Sequence, residues 1–124
     1  MIYLDTHVLV WLYAGDLKKI SKPAQRLINK NEIYICPIVR LELQYLFEIG
    51  RITIESKEII IDLSGRIGLK ICDKNFNIIV SGALDLSWTR DPFDRIIVAN
   101  AALNNNILLT KDQNILKNYE NARW

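Results

Sequence analysis

The sequence predicts an α/β fold in which a short parallel sheet is covered by helices on both faces. Short apolar runs alternate along the chain with longer helix-like segments, which is typical of repeated βαβ units. The runs are short and apolar throughout, as expected of strands buried on both faces. The 124 residues correspond to one domain, and half of them are hydrophobic, so we expect a folded chain with a substantial core.

Four short runs are predicted to be strands because they are apolar or rich in β-branched and aromatic residues. The second run, with the sequence EIYIC, is the clearest example. The last residues of the chain are expected to add an edge strand. The predicted strands cover residues 2–4, 32–36, 69–72 and 107–109, with the edge strand at 121–124.

Seven helices are predicted from capping residues, prolines and apolar periodicity. Ser21 followed by Lys22 and Pro23 is typical of an N-cap and first turn, and Pro37 is expected to open another helix. The predicted helices cover residues 8–15, 21–30, 37–50, 55–66, 75–84 and 91–104, followed by a short helix that starts at 112.

The composition excludes several classes of protein. The single histidine, His7, allows no multi-histidine metal site, and any Ser-His-Asp triad would have to use it. Two cysteines are too few for a disulfide scaffold, and we expect Cys36 and Cys72 to be inert buried thiols. Five glycines and three prolines exclude a low-complexity chain, and the high hydrophobic content disfavours disorder.

No segment predicts export or membrane insertion. The N-terminal sequence MIYLDTH has neither the basic region nor the long apolar core of a signal peptide. No run of about 18 apolar residues is available to span a bilayer. We therefore expect a cytoplasmic protein that has no membrane partner.

The net charge of +2 is too small to predict a nucleic-acid partner by itself. If four of the 14 acidic side chains form one metal-binding cluster, however, ten acidic groups remain elsewhere against 16 basic ones. A basic body around an acidic pocket suits a polyanionic substrate.

Acidic residues follow two of the predicted strands. Asp5 comes directly after the first strand, and Asp112 follows the ILLT segment by two residues. In parallel α/β sheets, ligands bind beyond the carboxyl ends of the strands, which makes both residues candidates for a site. Each could equally be a helix N-cap, and Thr6 is expected to cap its helix rather than to orient a metal-bound water.

Glu42 lies in the apolar stripe of its predicted helix. Its neighbours at three and four residues are apolar or aromatic, whereas the polar face carries Arg40, Gln44 and Glu48. An ionised carboxylate buried without a partner is strongly destabilising and tends to take up a proton. Glu42 therefore requires a cation, a wet crevice or a buried ion pair with a basic residue from another element.

The segment TRDPFDR places two acids at the start of an apolar helix. Asp91 is expected to be the N-cap before a proline, and Asp94 falls in the first turn, where the helix dipole favours a carboxylate whatever its function. Arg90, Arg95 and Lys111 could hold the backbone of a polyanionic substrate or could be ordinary surface charges. Trp88 is expected in the core or at an interface rather than against a substrate.

Four carboxylates are thus expected at strand ends or on an inward helix face: Asp5, Glu42, Asp94 and Asp112. Like charges gather only around a counter-charge, and a hard divalent cation is the natural partner of oxygen ligands. Zinc is disfavoured because the chain has one histidine and two cysteines.

The sequence resembles PIN-domain proteins of the VapC toxin type. The resemblance rests on IYLDTH at 2–7, on the inward Glu42, on DPFDRIIVANA at 91–101 and on LLTKD at 108–112. It implies an acid cluster of Asp5, Glu42, Asp94 and Asp112, with Asp91 as a candidate fifth member. His7 stands where family members commonly have asparagine, and we expect it on a helix face or at the substrate's edge.

The resemblance implies a three-layer α/β/α sandwich with a short, mostly parallel sheet. It also implies a Mg²⁺- or Mn²⁺-dependent endoribonuclease that hydrolyses RNA by a metal-activated water and leaves a 5′-phosphate and a 3′-hydroxyl. Asp5 and Asp94 would bind the metal directly, and Glu42 and Asp112 would bind it or hold its waters. The resemblance further implies a cognate antitoxin whose C-terminal segment blocks the acidic pocket. It also implies that the protein forms a homodimer.

Two other functions fit a chain of this size. A phospho-receiver domain also has an acidic pocket at strand ends and a lysine near the last strand, a part that Lys111 could play. Residues 47–60, however, contain no aspartate to accept the phosphate. A PIN module that binds RNA or protein without catalysis is the second alternative, although the chain contains all four acids.

Overall fold

The computed structural model describes all 124 residues and places five strands in one parallel sheet. The strands are β1 (Ile2–Leu4), β2 (Ile33–Ile35), β3 (Lys70–Ile71), β4 (Ile107–Leu109) and β5 (Ala122–Arg123). Their order across the sheet is β3-β2-β1-β4-β5, and every neighbouring pair is parallel. The C-terminal edge strand expected from the sequence is confirmed as β5.

Seven α-helices surround the sheet, and all seven were predicted. They are α1 (Thr6–Ala14), α2 (Lys22–Lys30), α3 (Ile38–Glu48), α4 (Ser56–Ile67), α5 (Phe76–Ala83), α6 (Pro92–Ala102) and α7 (Gln113–Asn118). A short 3₁₀ turn, Leu17–Lys19, links the first two. Gly15 and Gly68 adopt left-handed conformations with φ of 69° and 71° and end α1 and α4, and the predicted end of α1 at Gly15 is confirmed.

Both faces of the sheet are covered. The three residues of β1 are each at most 2% exposed, although consecutive side chains of a strand point to opposite faces. The three-layer α/β/α arrangement is therefore confirmed. Trp88 packs partly buried against the core, and Cys36 and Cys72 are buried free thiols, as expected. Burial raises the pKa of Cys36 to about 11, which leaves that thiol unreactive.

The strand order reverses between β1 and β4. The chain passes from β1 to β2 on one side and later returns to place β4 on the other side. Such a switch point opens a crevice at the carboxyl ends of the two strands. Here the backbone N–H of Asp5 donates to the carbonyl of Leu109 at 3.0 Å, so the residues that follow β1 and β4 are held side by side.

The helices are all short. None of them combines the length and the apolar character that a bilayer crossing requires.

The core around β4 is expected to dominate stability. Leu108 is fully buried at the middle of β4, whereas Leu84 is 70% exposed after α5. Leu108→Ala should lower the free energy of unfolding by about 2–5 kcal/mol, because it removes buried methyl groups and leaves a cavity. The matched change Leu84→Ala should stay within about 0.5 kcal/mol of the parent in urea unfolding. Equal losses in the two variants would contradict the assigned core.

Candidate metal centre

An acidic pocket of about 480 Å³ opens at the switch point between β1 and β4. Its lining contains all four carboxylates expected from the sequence, together with Asp91. Residues separated by up to 107 positions are thus brought to one place. A larger cavity of about 720 Å³ lies between α3 and α4, but no carboxylate lines it. The candidate metal site is therefore the smaller, acidic pocket. The acidic pocket is lined by Asp5, His7, Val8, Trp11, Glu42, Asp91, Asp94, Lys111, Asp112 and Gln113.

Asp5 is held at the bottom of the acidic pocket by two hydrogen bonds. Its Oδ1 accepts the backbone N–H of Thr6 at 2.8 Å, and its Oδ2 accepts the hydroxyl of Thr110 at 2.6 Å. Asp5 is therefore the N-cap of α1, and the expectation that Thr6 caps this helix is wrong. Asp5 is 8% exposed, and burial raises its pKa although both hydrogen bonds act in the opposite direction.

Thr6 instead connects two acids. Its backbone N–H donates to Asp5, and its hydroxyl donates to Oε1 of Glu42 on α3. The inward orientation of Glu42 is thereby confirmed, while Arg40 is exposed on the same helix. No ion pair involves Glu42, because the three salt bridges of the structure lie elsewhere. The buried ion pair left open by the sequence is therefore absent.

Burial and neighbouring carboxylates shift two acids strongly. Burial, followed by the charges of Asp5 and Asp91, raises the pKa of Glu42 to about 7. Burial, followed by the charges of the other four carboxylates, raises the pKa of Asp94 to about 8. The carboxylate of Asp94 also accepts no hydrogen bond from the rest of the chain. A bound cation would therefore stabilise the charged forms of these two groups in particular.

Asp91 and Asp112 combine two roles. Oδ1 of Asp91 accepts the N–H groups of Phe93 and Asp94 at 2.8 and 3.3 Å, which makes it the N-cap of α6. Oδ1 of Asp112 accepts the N–H group of Ile115 at 3.0 Å and caps α7 in the same way. Because each cap uses one oxygen, the second oxygen of each carboxylate has no hydrogen-bond donor. Capping and participation in the pocket are thus compatible.

Thr110 is a site residue that was not predicted from the sequence. It is fully buried, its hydroxyl donates to Asp5, and the same oxygen accepts the backbone N–H of Asp112 at 3.0 Å. It therefore ties the end of β1 to the start of α7. The available signal was its position, since it follows β4 directly, just as Asp5 follows β1.

Of the three basic residues predicted near the site, one lines the acidic pocket and two do not. Lys111 lines the acidic pocket, and its Nζ lies 5.8 Å from the ring centroid of Trp11. Arg95 turns away from the pocket: its guanidinium donates to carbonyls in the last turn of α5. Arg90 donates to the carbonyl of Ser87 at 2.6 Å and does not line the pocket. His7 is exposed on α1 and lines the acidic pocket, so it lies on a helix face, one of the two expected positions.

The residues present fit a hydrated divalent cation. In the rotamers of the structure, no three acidic, histidine or cysteine side chains stand close enough to enclose a bare ion. The pocket nevertheless has room for water molecules, its acidic side chains offer oxygen atoms, and its one lysine cannot neutralise five carboxylates. Because Mg²⁺ binds few protein carboxylates and keeps several of its waters, a wide pocket with spaced acids suits it.

Comparison with solved structures shows the same fold. A chain of a toxin-antitoxin complex from Klebsiella pneumoniae has a TM-score of 0.70 at 17% identity, with 100% of this chain and 97% of that chain covered. A chain of VapBC2 from Rickettsia felis, bound to a promoter DNA fragment, has a TM-score of 0.69 at 22% identity, with 98% and 96% covered. A chain of DNA-bound VapBC from Salmonella typhimurium has a TM-score of 0.61 at 18% identity, with 99% and 96% covered.

No curated protein matches the sequence. The family model of the PIN domain, however, matches residues 2–121, which is nearly the whole chain and includes every residue of the acid cluster. The match agrees with the parallel sheet and with the pocket at its switch point. The chain belongs to the PIN domain family.

Proposed function

We propose that this protein is a Mg²⁺- or Mn²⁺-dependent endoribonuclease of the VapC type, the toxin of a toxin–antitoxin pair. The observation that supports this most strongly is the convergence of Asp5, Glu42 and Asp94 on one pocket with no basic side chain paired to them. Structural similarity to chains from three toxin–antitoxin complexes agrees with the proposal. The protein would act in the cytoplasm.

The cation would be held by Asp5 and Asp94, with Glu42 and Asp112 as further ligands or as acceptors for its waters. When bound, such an ion supplies an acidified water as nucleophile and neutralises charge that develops on the phosphate. The chain prepares the site for this. The hydroxyls of Thr6 and Thr110 donate to Glu42 and Asp5, so these two carboxylates are oriented before the ion enters.

The proposed reaction is hydrolysis of an RNA phosphodiester. The oxygen of water forms a new bond to phosphorus, the bond from phosphorus to the 3′ oxygen breaks, and the 3′ oxygen takes a proton. The products are a 5′-phosphate and a 3′-hydroxyl. No protein nucleophile takes part, which agrees with a chain that has a single histidine, exposed at the pocket edge.

The proposed partners follow from the same site. A cognate antitoxin would inhibit the enzyme by placing its C-terminal segment in the acidic pocket. A homodimer is also proposed, and α3 offers a surface for it. Leu41, Tyr45 and Ile49 are spaced four residues apart on or just after this helix, and each is about half exposed.

The two alternatives are less well supported. A phospho-receiver needs an acceptor aspartate after a central strand near mid-chain, whereas the mid-chain strand β3 lies at the edge of the sheet. A non-catalytic PIN module would have no need for four acids converging on one pocket. RNA binding without metal-dependent cleavage would favour that module, and uptake of phosphate from a small phosphodonor would favour the receiver.

The nuclease activity depends on the acid cluster. Purified protein should cleave RNA with Mg²⁺ or Mn²⁺ and stop when EDTA is added. Asp94→Asn should lower the rate by at least about a hundredfold, because it weakens cation binding at the transition state. Asp5→Asn should have the same effect while the fold survives, since asparagine also caps helices.

Asp85→Asn is the matched control, because Asp85 is exposed and lies outside the acidic pocket. It should cleave at the parental rate. Equal rates in the parent and in Asp94→Asn, measured on the same labelled RNA, would refute the proposed mechanism.

Cation binding should strengthen as pH rises from about 6 to about 8. The pKa of Glu42 is raised to about 7 and that of Asp94 to about 8, so protons must leave both before the ion can bind. Isothermal titration with Mn²⁺ in buffers of different ionisation enthalpy should reveal proton release below pH 8. Asp94→Asn should release fewer protons, and pH-independent affinity would contradict the assignment.

The same shifts predict the stability of the metal-free protein. Between about pH 4, the ordinary carboxyl pKa, and about pH 8, the folded state binds more protons than the unfolded chain. The free energy of unfolding should therefore fall as pH rises across this window, and Glu42→Gln should make the fall shallower. Urea unfolding at several pH values measures this free energy. If stability instead rises with pH, and rises equally in the parent and in Glu42→Gln, the raised pKa values are contradicted.

Thr110 should act by positioning Asp5. Thr110→Val keeps the shape of the side chain but removes the donor to Asp5 and the acceptor for Asp112. Mn²⁺ affinity, measured by electron paramagnetic resonance, should weaken by about 10–100-fold. Thr110→Ser keeps the hydroxyl and should bind Mn²⁺ nearly as well as the parent. Equal Mn²⁺ affinity in a folded Thr110→Val variant would show that the hydrogen bond has no such role.

A further inference from the structure

We propose that one wall of the acidic pocket is a subsite for an unpaired nucleotide next to the cleaved phosphate. The wall consists of His7, Trp11 and Lys111, and we call it the stacking wall. A nucleobase would lie against Trp11 and His7, and the adjoining phosphate would contact Lys111. This inference rests on the proposed ribonuclease function, and it specifies which part of the RNA the site holds.

The stacking wall is made of two rings on one helix face. His7 and Trp11 lie four residues apart on α1, so both side chains project to the same side. Their ring centroids are 6.2 Å apart with an angle of 42° between the planes. Both line the acidic pocket, in which Trp11 is the one large apolar side chain. A base entering beside the carboxylates would therefore meet aromatic surface.

Trp11 also packs against a second tryptophan. The ring centroids of Trp11 and Trp124 are 5.8 Å apart, with an angle of 61° between the planes, which is an edge-to-face arrangement. Part of Trp11 packs against the hydrophobic core, while the remainder faces the acidic pocket. A ring that is already ordered loses little conformational entropy when a base stacks on it. The tilt of the ring is set by the fold before any RNA arrives.

Lys111 supplies a charge of the right sign at the same place. Its Nζ lies over the Trp11 ring and forms no salt bridge, although five carboxylates line the same pocket. The lysine is thus available to a phosphate oxygen. Because the acids would otherwise repel the RNA backbone, a cationic side chain and neutral stacking surface are the two contacts that a substrate needs here.

The dimensions favour a single nucleotide rather than a duplex. A volume of about 480 Å³ falls in the usual range of small-molecule sites. A paired base is stacked between its neighbours and cannot reach a ring inside such a pocket, whereas a loop or flipped-out base can. The subsite therefore selects RNA at positions where a base is unpaired.

The test measures RNA binding in an Asp94→Asn background, in which cleavage is expected to be at least about a hundredfold slower than in the parent. A labelled single-stranded hexaribonucleotide is titrated with this protein and with versions that also carry Trp11→Leu or the matched change Trp88→Leu. Trp11→Leu should weaken binding roughly tenfold, as expected from loss of one stacked base. Trp88→Leu should bind as tightly as the background, because Trp88 does not line the acidic pocket. Trp11→Phe keeps an aromatic ring and should recover most of the affinity.

An abasic scan identifies the stacked base. In the Asp94→Asn background, removal of one base should weaken binding about as much as Trp11→Leu does. With Trp11→Leu present, removal of the same base should have no further effect, since the two changes remove one contact. Lys111→Gln should reduce the slope of log affinity against log salt by about one.

Three results of the binding experiments would each overturn the stacking wall: no measurable binding of the oligonucleotide, equal affinities for Trp11→Leu and Trp88→Leu, or an abasic effect that persists unchanged without Trp11. Failure of the proposed function is distinguishable, because it appears in a separate assay as absence of metal-dependent cleavage by the parent. A Trp11→Leu enzyme that cleaves RNA with the KM of the parent would support the nuclease activity and would overturn the stacking wall.

Discussion

Uncompensated negative charge in one pocket is the constraint on which the rest of this structure depends. Five carboxylates and one lysine line a pocket at the switch point of a parallel sheet. Burial, followed by the charges of neighbouring carboxylates, raises the pKa values of Glu42 and Asp94, and no basic side chain pairs with either group. Proteins retain such unfavourable clusters at functional sites, and a divalent cation relieves this one by charge and by oxygen coordination.

Much of the cluster is also structural. Asp5, Asp91 and Asp112 are helix N-caps, so the backbone positions their carboxylates and helix N–H groups offset part of their charge. Two threonine hydroxyls then link the elements, Thr6 to α3 and Thr110 to β1. The same hydrogen bonds that begin these helices thus orient the acids.

The sequence was sufficient for the secondary structure and for most of the cluster, because both depend on local rules. Caps, prolines and apolar periodicity located the helices, and Glu42 was recognisable as a carboxylate in an apolar stripe. Thr6, Thr110 and Arg95 were different, because their roles depend on partners that are distant in sequence. Thr6 donates across 36 positions to Glu42, Thr110 across 105 to Asp5, and Arg95 turns to the end of α5. No local pattern specifies such pairings.

The central claim is that these acids hold a divalent cation, and anomalous diffraction from crystals grown with Mn²⁺ tests it most directly. The account predicts a Mn²⁺ peak in the acidic pocket, with carboxylate oxygens of Asp5 and Asp94 within about 2–2.5 Å of it and waters completing the shell. A pocket without Mn²⁺ at saturating concentration, with Glu42 or Asp94 turned toward a basic side chain instead, would contradict the account.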